Sequence, residues 1–146
     1  MMGKNDKEVQ ANRAKLIGLL NQILQIEYSF MIHYPRLARA LRSEEARSIL
    51  EELGRDSTRH GNVVSGIIEE LGGKAEWSFE PAPDGTDMAA VLRKQLEKEE
   101  LASQLHQQCV ELSSSLSHRE KLNALVKDEK WHMKAVETAI SKLLMK

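Results

Sequence analysis

Residues 122–136 read LNALVKDEKWHMKAV. Leu122, Leu125 or Val126, Val136 and, further on, Ile140 and Leu143 recur at three- and four-residue steps, the period of one helix face. Glu129 and His132 fall in the middle of that apolar face. A carboxylate and an imidazole spaced i, i+3 lie on one side of a helix and point the same way. Buried without partners, they carry a large desolvation cost. Trp131 points off this face and is a candidate for contact with a second copy of the chain.

Working outward, three more segments show the same helical period with a polar interruption near the middle. Residues 87–113 carry Leu92, Leu96, Glu99, Ser103, His106 and Val110. At about 100° per residue, the phase selects Glu99 over Glu97 and Glu100. Residues 43–72 carry Ala46, Ile49 or Leu50, Leu53, Asp56 or Ser57, His60, Val63 or Val64, Ile67 and Leu71. Residues 7–41 carry Leu16, Leu20, Ile23, Glu27, Phe30 or Met31, Tyr34, Ala38 and Leu41. Pro35 lies inside this segment and is expected to kink it, because it lacks a donor and crowds the carbonyl four residues back. Gly54 and Gly61 share a face of the second segment, where a neighbour can approach closely.

Punctuation sets the boundaries. Ser43 and Asp87 suit N-caps, and Gly72-Gly73 suits a helix stop. The reading is an all-α chain, one domain over 1–146, with helices at about 7–41, 43–72, 87–113 and 118–144. The first and second helices meet across a short turn, as do the third and fourth across Ser113–Ser117. The connection at 73–86 holds Gly73, Pro81, Pro83 and Gly85 and is long enough, when extended, to run back along the whole second helix. Two antiparallel hairpins joined by a long crossover are therefore expected, with an up-down-up-down bundle as the alternative. Trp77 and Phe79 favour a packed crossover.

Composition narrows the function. The 21 Lys+Arg nearly balance the 22 Asp+Glu, which speaks against nucleic-acid binding. The single Cys109 excludes an internal disulfide and is expected to be buried and inert. No apolar run approaches a membrane span, and MMGKNDKEVQ lacks the apolar core of a signal peptide, so a cytoplasmic location is expected. His33 and His118 are expected in solvent.

Spacing ties the four interruptions together. Glu27 and His60 are 33 residues apart, and so are Glu99 and His132. Glu129 precedes His132 by three, and Ser57 precedes His60 by three. Each half thus offers a glutamate on one helix and a histidine on the next, at the same register. A divalent cation at the centre relieves the desolvation cost, and carboxylates can bridge two ions. A metal-free buried polar network is the other reading of the same residues.

This pattern resembles the ferritin-like di-iron carboxylate superfamily, and within it the rubrerythrin-like group. That superfamily takes one Glu from each of two helices and Glu-x-x-His from each of the other two. Glu27, Glu99 and the Glu129/His132 pair in DEKWH match the set, and His60 in DSTRH matches half of the remaining motif. Tyr34, seven residues after Glu27, resembles a tyrosine beside the metal site in rubrerythrins, which implies a catalytic residue, a radical or proton donor, with a core hydroxyl as the other reading. The resemblance implies a ferritin-like four-helix bundle with a di-iron cofactor that acts on peroxide or oxygen, or handles iron. Mn or Zn suits the same ligands. The sequence departs from the pattern at Ser57, where a bridging Glu is expected, with Asp56 as the adjacent substitute. One Cys cannot build the rubredoxin module of a full rubrerythrin, so an enzymatic role requires an external electron donor. No short fifth helix of the cage-forming ferritins is expected, so a homodimer is anticipated rather than a shell. A helical adaptor or dimerisation module with a degraded metal site is the competing functional class.

Overall fold

The computed structural model describes residues 3–82, 85 and 87–144. Pro83 of the connection and Met1–Met2 lie outside them. Four helices form: α1 Lys4–Arg39, α2 Glu44–Glu70, α3 Met88–Leu112 and α4 Leu116–Leu144. The expected boundaries hold to within three residues. Ser43 Oγ accepts from the Ala46 amide, and an Asp87 carboxylate oxygen accepts from the Ala90 amide, so both expected caps are in place. At the other end of α2, the Gly73 amide reaches back to the Ile68 carbonyl and the Gly72 amide to that of Glu69. Gly72 adopts φ +83°, the left-handed conformation this helix stop demands.

Helix α1 continues through Pro35 to Arg39. The ring of Pro35 seats on Gly54 of α2, where an added Cβ would lie 3.1 Å from Pro35 Cδ. At Gly61 the added atom would meet the Trp77 ring at 3.5 Å, an ordinary contact. Both glycines therefore face close neighbours, with different consequences. Gly61→Ala should gain about 1 kcal/mol from helix propensity. Gly54→Ala should lose most of that gain to crowding against the proline. Thermal melts of the two variants give the comparison.

Ion pairs and caps fix the topology. Glu45 at the start of α2 pairs with Lys142 at the end of α4, and Glu70 at the end of α2 meets His118 at the start of α4. Helix α2 is therefore antiparallel to α4. Among the described residues α1 contacts α2 and α3, and α4 contacts α2 and α3, while α1 and α4 sit diagonally. The crossover follows α1. The Asn21 side chain donates to the Lys74 carbonyl and accepts from the Glu76 amide, and Ser29 Oγ accepts from the Glu80 amide. Trp77 and Phe79 pack edge-on against Tyr28 while remaining about half exposed. This is the long-crossover connectivity rather than the simple up-down bundle.

Two histidines depart from expectation. His33 and His118 are 4% and 7% exposed rather than solvated. His33 Nε2 donates to the Glu80 carbonyl at 2.7 Å, so the crossover covers it. His118 Nε2 lies 2.6 Å from Glu70 Oε2. Both are buried by partners about 50 residues away in sequence, which local periodicity does not register.

The core repeats with an offset of 72 residues. Leu20 and Leu92, Leu50 and Leu122, Leu53 and Leu125, Val64 and Val136, and Ile68 and Ile140 are all buried pairs at that spacing. The two hairpins are thus approximate copies related by a two-fold axis across the middle of the bundle.

Candidate metal centre

At that axis the helices bring together Glu27 from α1, Ser57 and His60 from α2, Glu99 from α3, and Glu129 and His132 from α4, all buried. Each sits on its helix's apolar stripe, so packing of the flanking leucines carries the polar side chains inward. His60 Nδ1 lies 3.4 Å from Glu27 Oε1 and 3.3 Å from Glu129 Oε1. His132 Nδ1 lies 3.4 Å from Glu99 Oε2 and 3.6 Å from Glu129 Oε2. The two imidazoles stack with centroids 4.9 Å apart. Ligand atoms of Glu27, His60 and Glu129 fall within 4.8 Å of one another, as do those of Glu99, His132 and Glu129. Glu129 belongs to both groups, with one carboxylate oxygen toward each histidine.

The outward nitrogens are held as well. His60 Nε2 lies 3.0 Å from Asp128 Oδ2, and His132 Nε2 lies 2.6 Å from Asp56 Oδ2. Each histidine therefore donates to an aspartate on the opposite helix and turns Nδ1 inward, the arrangement that fixes the tautomer of a metal-binding histidine. Arg59 ties the two aspartates together, at 3.0 Å to Asp56 and 2.6 Å to Asp128. Asp56 thus lies behind His132 rather than in the place of a bridging carboxylate at Ser57. Asp56 Oδ2, His60 and His132 also form a third close group of possible ligands. Sequence reasoning missed Asp128, although D-x-x-x-H occurs in both DSTRH and DEKWH.

Burial and charge set the protonation states. Burial pushes Glu27 up, but the hydrogen bond and charge of His60 outweigh it and hold the carboxyl at about 2. Burial, then the charges of Glu27 and Glu99, raise Glu129 well above the usual carboxylate range. Burial depresses His132, yet its partners Glu99 and Asp56 lift it to about 9. Burial lowers His106, which stays neutral. Tyr34 Oη donates to Glu99 Oε1 at 2.8 Å, and burial followed by the Glu99 charge pushes its phenol well up. Cys109 is buried and raised to about 12, so it is an inert thiol.

The donor set fits a cationic group. Glu27 Oε2, Glu99 Oε2, both Glu129 oxygens and His132 Nδ1 are buried without a hydrogen-bond partner. Buried polar atoms without a partner each cost about 1–3 kcal/mol. Five in one cluster are relieved together by divalent ions. Ser57 Oγ is also buried and unpartnered, and adds no charge.

No family model and no curated protein matches this chain. Solved structures do. The chain superposes with TM-score 0.80 on a ferritin-like diiron-carboxylate protein from Bacillus anthracis str. Ames, at 21% identity over 88% of this chain and 97% of that one. The bacterioferritin of Desulfovibrio desulfuricans, which has a diiron site, gives 0.78 at 18% identity, covering 93% and 85%. A bacterioferritin-related protein from Bacteroides fragilis, a dodecameric thioferritin, gives 0.78 at 16% identity, covering 96% and 97%. The fold is the ferritin-like four-helix bundle. No described helix is long and apolar enough to cross a membrane.

Proposed function

We propose that this chain is a ferritin-like iron protein with a dinuclear centre at the two-fold axis, acting as an oxidoreductase on oxygen or peroxide or in iron handling. The observation that carries this reading is the set of five orphaned, buried ligand atoms converging from three helices. Glu27, His60 and Glu129 would hold one ion, and Glu99, His132 and Glu129 the other. Iron in such nitrogen and carboxylate surroundings supplies one-electron chemistry when bound. The chain's own part is to offer Glu129 to both groups of ligands, to fix both imidazoles through Asp56 and Asp128, and to steady Glu99 through Tyr34. The likeness in fold to diiron-carboxylate proteins supports iron over Mn or Zn. An enzymatic role would draw on an external electron donor, because a single cysteine cannot build an iron–sulfur relay. The reading extends to a cytoplasmic homodimer, with Trp131, 46% exposed on α4, as a contact.

The test is a thermal melt with and without Fe(II) under anaerobic conditions, paired with elemental analysis. At 100 times its dissociation constant an ion adds about 2.7 kcal/mol, or on the order of 5–10 °C for a chain this size. An unchanged melt and no metal would favour the helical adaptor with a degraded site, which Ser57 makes the standing alternative. Binding must displace the proton on His132, whose imidazole is lifted to about 9. Affinity should therefore climb as pH rises toward 9, by about tenfold per unit for each proton displaced. The metal-free fold should respond the other way. The His132 contribution to stability is full below about 6.5 and is lost as pH rises through about 9. Asp128→Ala should weaken binding by about 10–100-fold, because His60 loses the partner that orients it. Calorimetric titration reads that loss.

A further inference from the structure

Tyr34 and His106 stand 72 residues apart, each seven residues beyond the glutamate of its own helix. They are equivalent positions of the two hairpins, and both are fully buried. The tyrosine closes a direct bond across the bundle, Oη to Glu99 Oε1 at 2.8 Å. Under the two-fold relation His106 corresponds to Tyr34, and Glu27 to Glu99. Its ring centroid lies 6.4 Å from that of His60, the partner of Glu27. Of the charges around the His106 ring, that of Glu27 acts most strongly.

The imidazole cannot repeat the tyrosine's bond. Its Nδ1 lies 2.6 Å from the Ala102 carbonyl, which only accepts, so Nδ1 carries the proton and Nε2 a lone pair. That Nε2 has no partner, and neither does Glu27 Oε2. An imidazole is also shorter than a phenol, and no direct hydrogen bond joins His106 to Glu27. Two buried acceptors on the same side of the site lack a donor of their own, and a water molecule donates to both at once.

We propose that His106 is a positioning residue whose Nε2 and Glu27 Oε2 hold a buried water between them, giving Glu27 the hydrogen bond that Tyr34 gives Glu99 directly. The two halves of the site are then unequal. Glu99 is fixed by a donor on the chain, whereas Glu27 is held by an exchangeable molecule. The consequence for metal binding rests on the dinuclear reading; the water and the histidine tautomer do not.

Two measurements test this. Nitrogen-15 NMR of the metal-free protein, labelled at histidine, should show His106 protonated at Nδ1 and bare at Nε2. A proton on Nε2 would overturn the proposal whatever the metal results. Co(II) titration, followed by visible absorption, then compares the native protein with His106→Leu and His106→Tyr. The leucine variant should weaken one of two binding steps by about tenfold and leave the other unchanged. The tyrosine variant should restore that step, because its phenol reaches Glu27 without the water. Equal binding by all three proteins would remove the positioning role, and so would equal weakening of both steps. A native protein that takes up no Co(II) would sink the dinuclear reading; the NMR would still decide the tautomer from the protonated nitrogen and the water from the Nε2 shift, which moves upfield when that nitrogen accepts a hydrogen bond and stays at the free value if no water is there. Should the leucine variant fail to fold, the tyrosine variant decides: binding below the native level at the weaker step counts against the proposal.

Discussion

Glu129→Gln should abolish tight metal binding at both halves of the site in one substitution. Glu129 is the residue whose two carboxylate oxygens face different histidines, Oε1 toward His60 and Oε2 toward His132. Each half otherwise keeps one carboxylate and one imidazole, too few to hold an ion against water. The loss at both steps should exceed the roughly 10–100-fold that removal of an outer partner such as Asp128 costs. The metal-free fold should not suffer. Glu129 is fully buried and its carboxyl is pushed toward the neutral form by burial and by the charges of Glu27 and Glu99. Glutamine has the same size, stays neutral at every pH and keeps a donor for those neighbours. Its metal-free melting temperature should match or exceed that of the native protein, most clearly at high pH, where the native carboxyl is forced to ionise. The contrast separates a binding residue from a structural one. A Glu129→Gln protein that still binds one full equivalent of Fe(II) or Co(II) would show that the carboxylate is not shared.

The inward-facing part of this centre was legible in the sequence because it obeys helical phase. Glu99 is buried while Glu97 and Glu100 on either side are exposed, as rotation about the helix axis requires. The paired 33-residue spacings placed Glu27 opposite His60 and Glu99 opposite His132, and both pairs meet at 3.4 Å. Asp128 was not legible by that route. It lies one position before Glu129 and is rotated off the apolar stripe, so phase alone assigns it to solvent. Its side chain is 34% exposed, yet it holds His60 through Nε2. The signal that could have found it is repetition, the aspartate four residues before each histidine. His33 escaped for a different reason. Its burial depends on the crossover lying along α1, a contact made by the backbone of Glu80 and the side chain of Ser29. Periodicity describes a helix against its core, and it cannot register a loop laid over the helix's outer side.

Ser57→Glu should change the protein in opposite directions with and without metal. Ser57 is the two-fold equivalent of Glu129, it is buried, and its Oγ has no partner. A glutamate there adds a fourth carboxyl to three already crowded at the axis. Without metal that group must be buried neutral or ionised beside like charges, and either state costs free energy. Space adds to the cost, because one turn away Gly54 already lies against Tyr34 and Pro35, and overpacking costs about 1–3 kcal/mol. The metal-free melting temperature should therefore fall by several degrees. With two divalent ions bound, the balance reverses. Three carboxylates leave part of the fourfold positive charge uncompensated, and the fourth completes both the charge and the second bridge. Metal should bind Ser57→Glu more tightly than the native protein, and the rise in melting temperature on adding metal should be larger. Ser57→Ala supplies the control. Removing an unpartnered hydroxyl should leave stability within about 0.5 kcal/mol and metal binding unchanged, since the hydroxyl is a poor ligand for these ions. Paired melts and calorimetric titrations on the three proteins read all of these effects. If Ser57→Glu is destabilised without metal and binds metal no better, position 57 does not face the ions, and the two-fold equivalence of the two hairpins fails where it matters most.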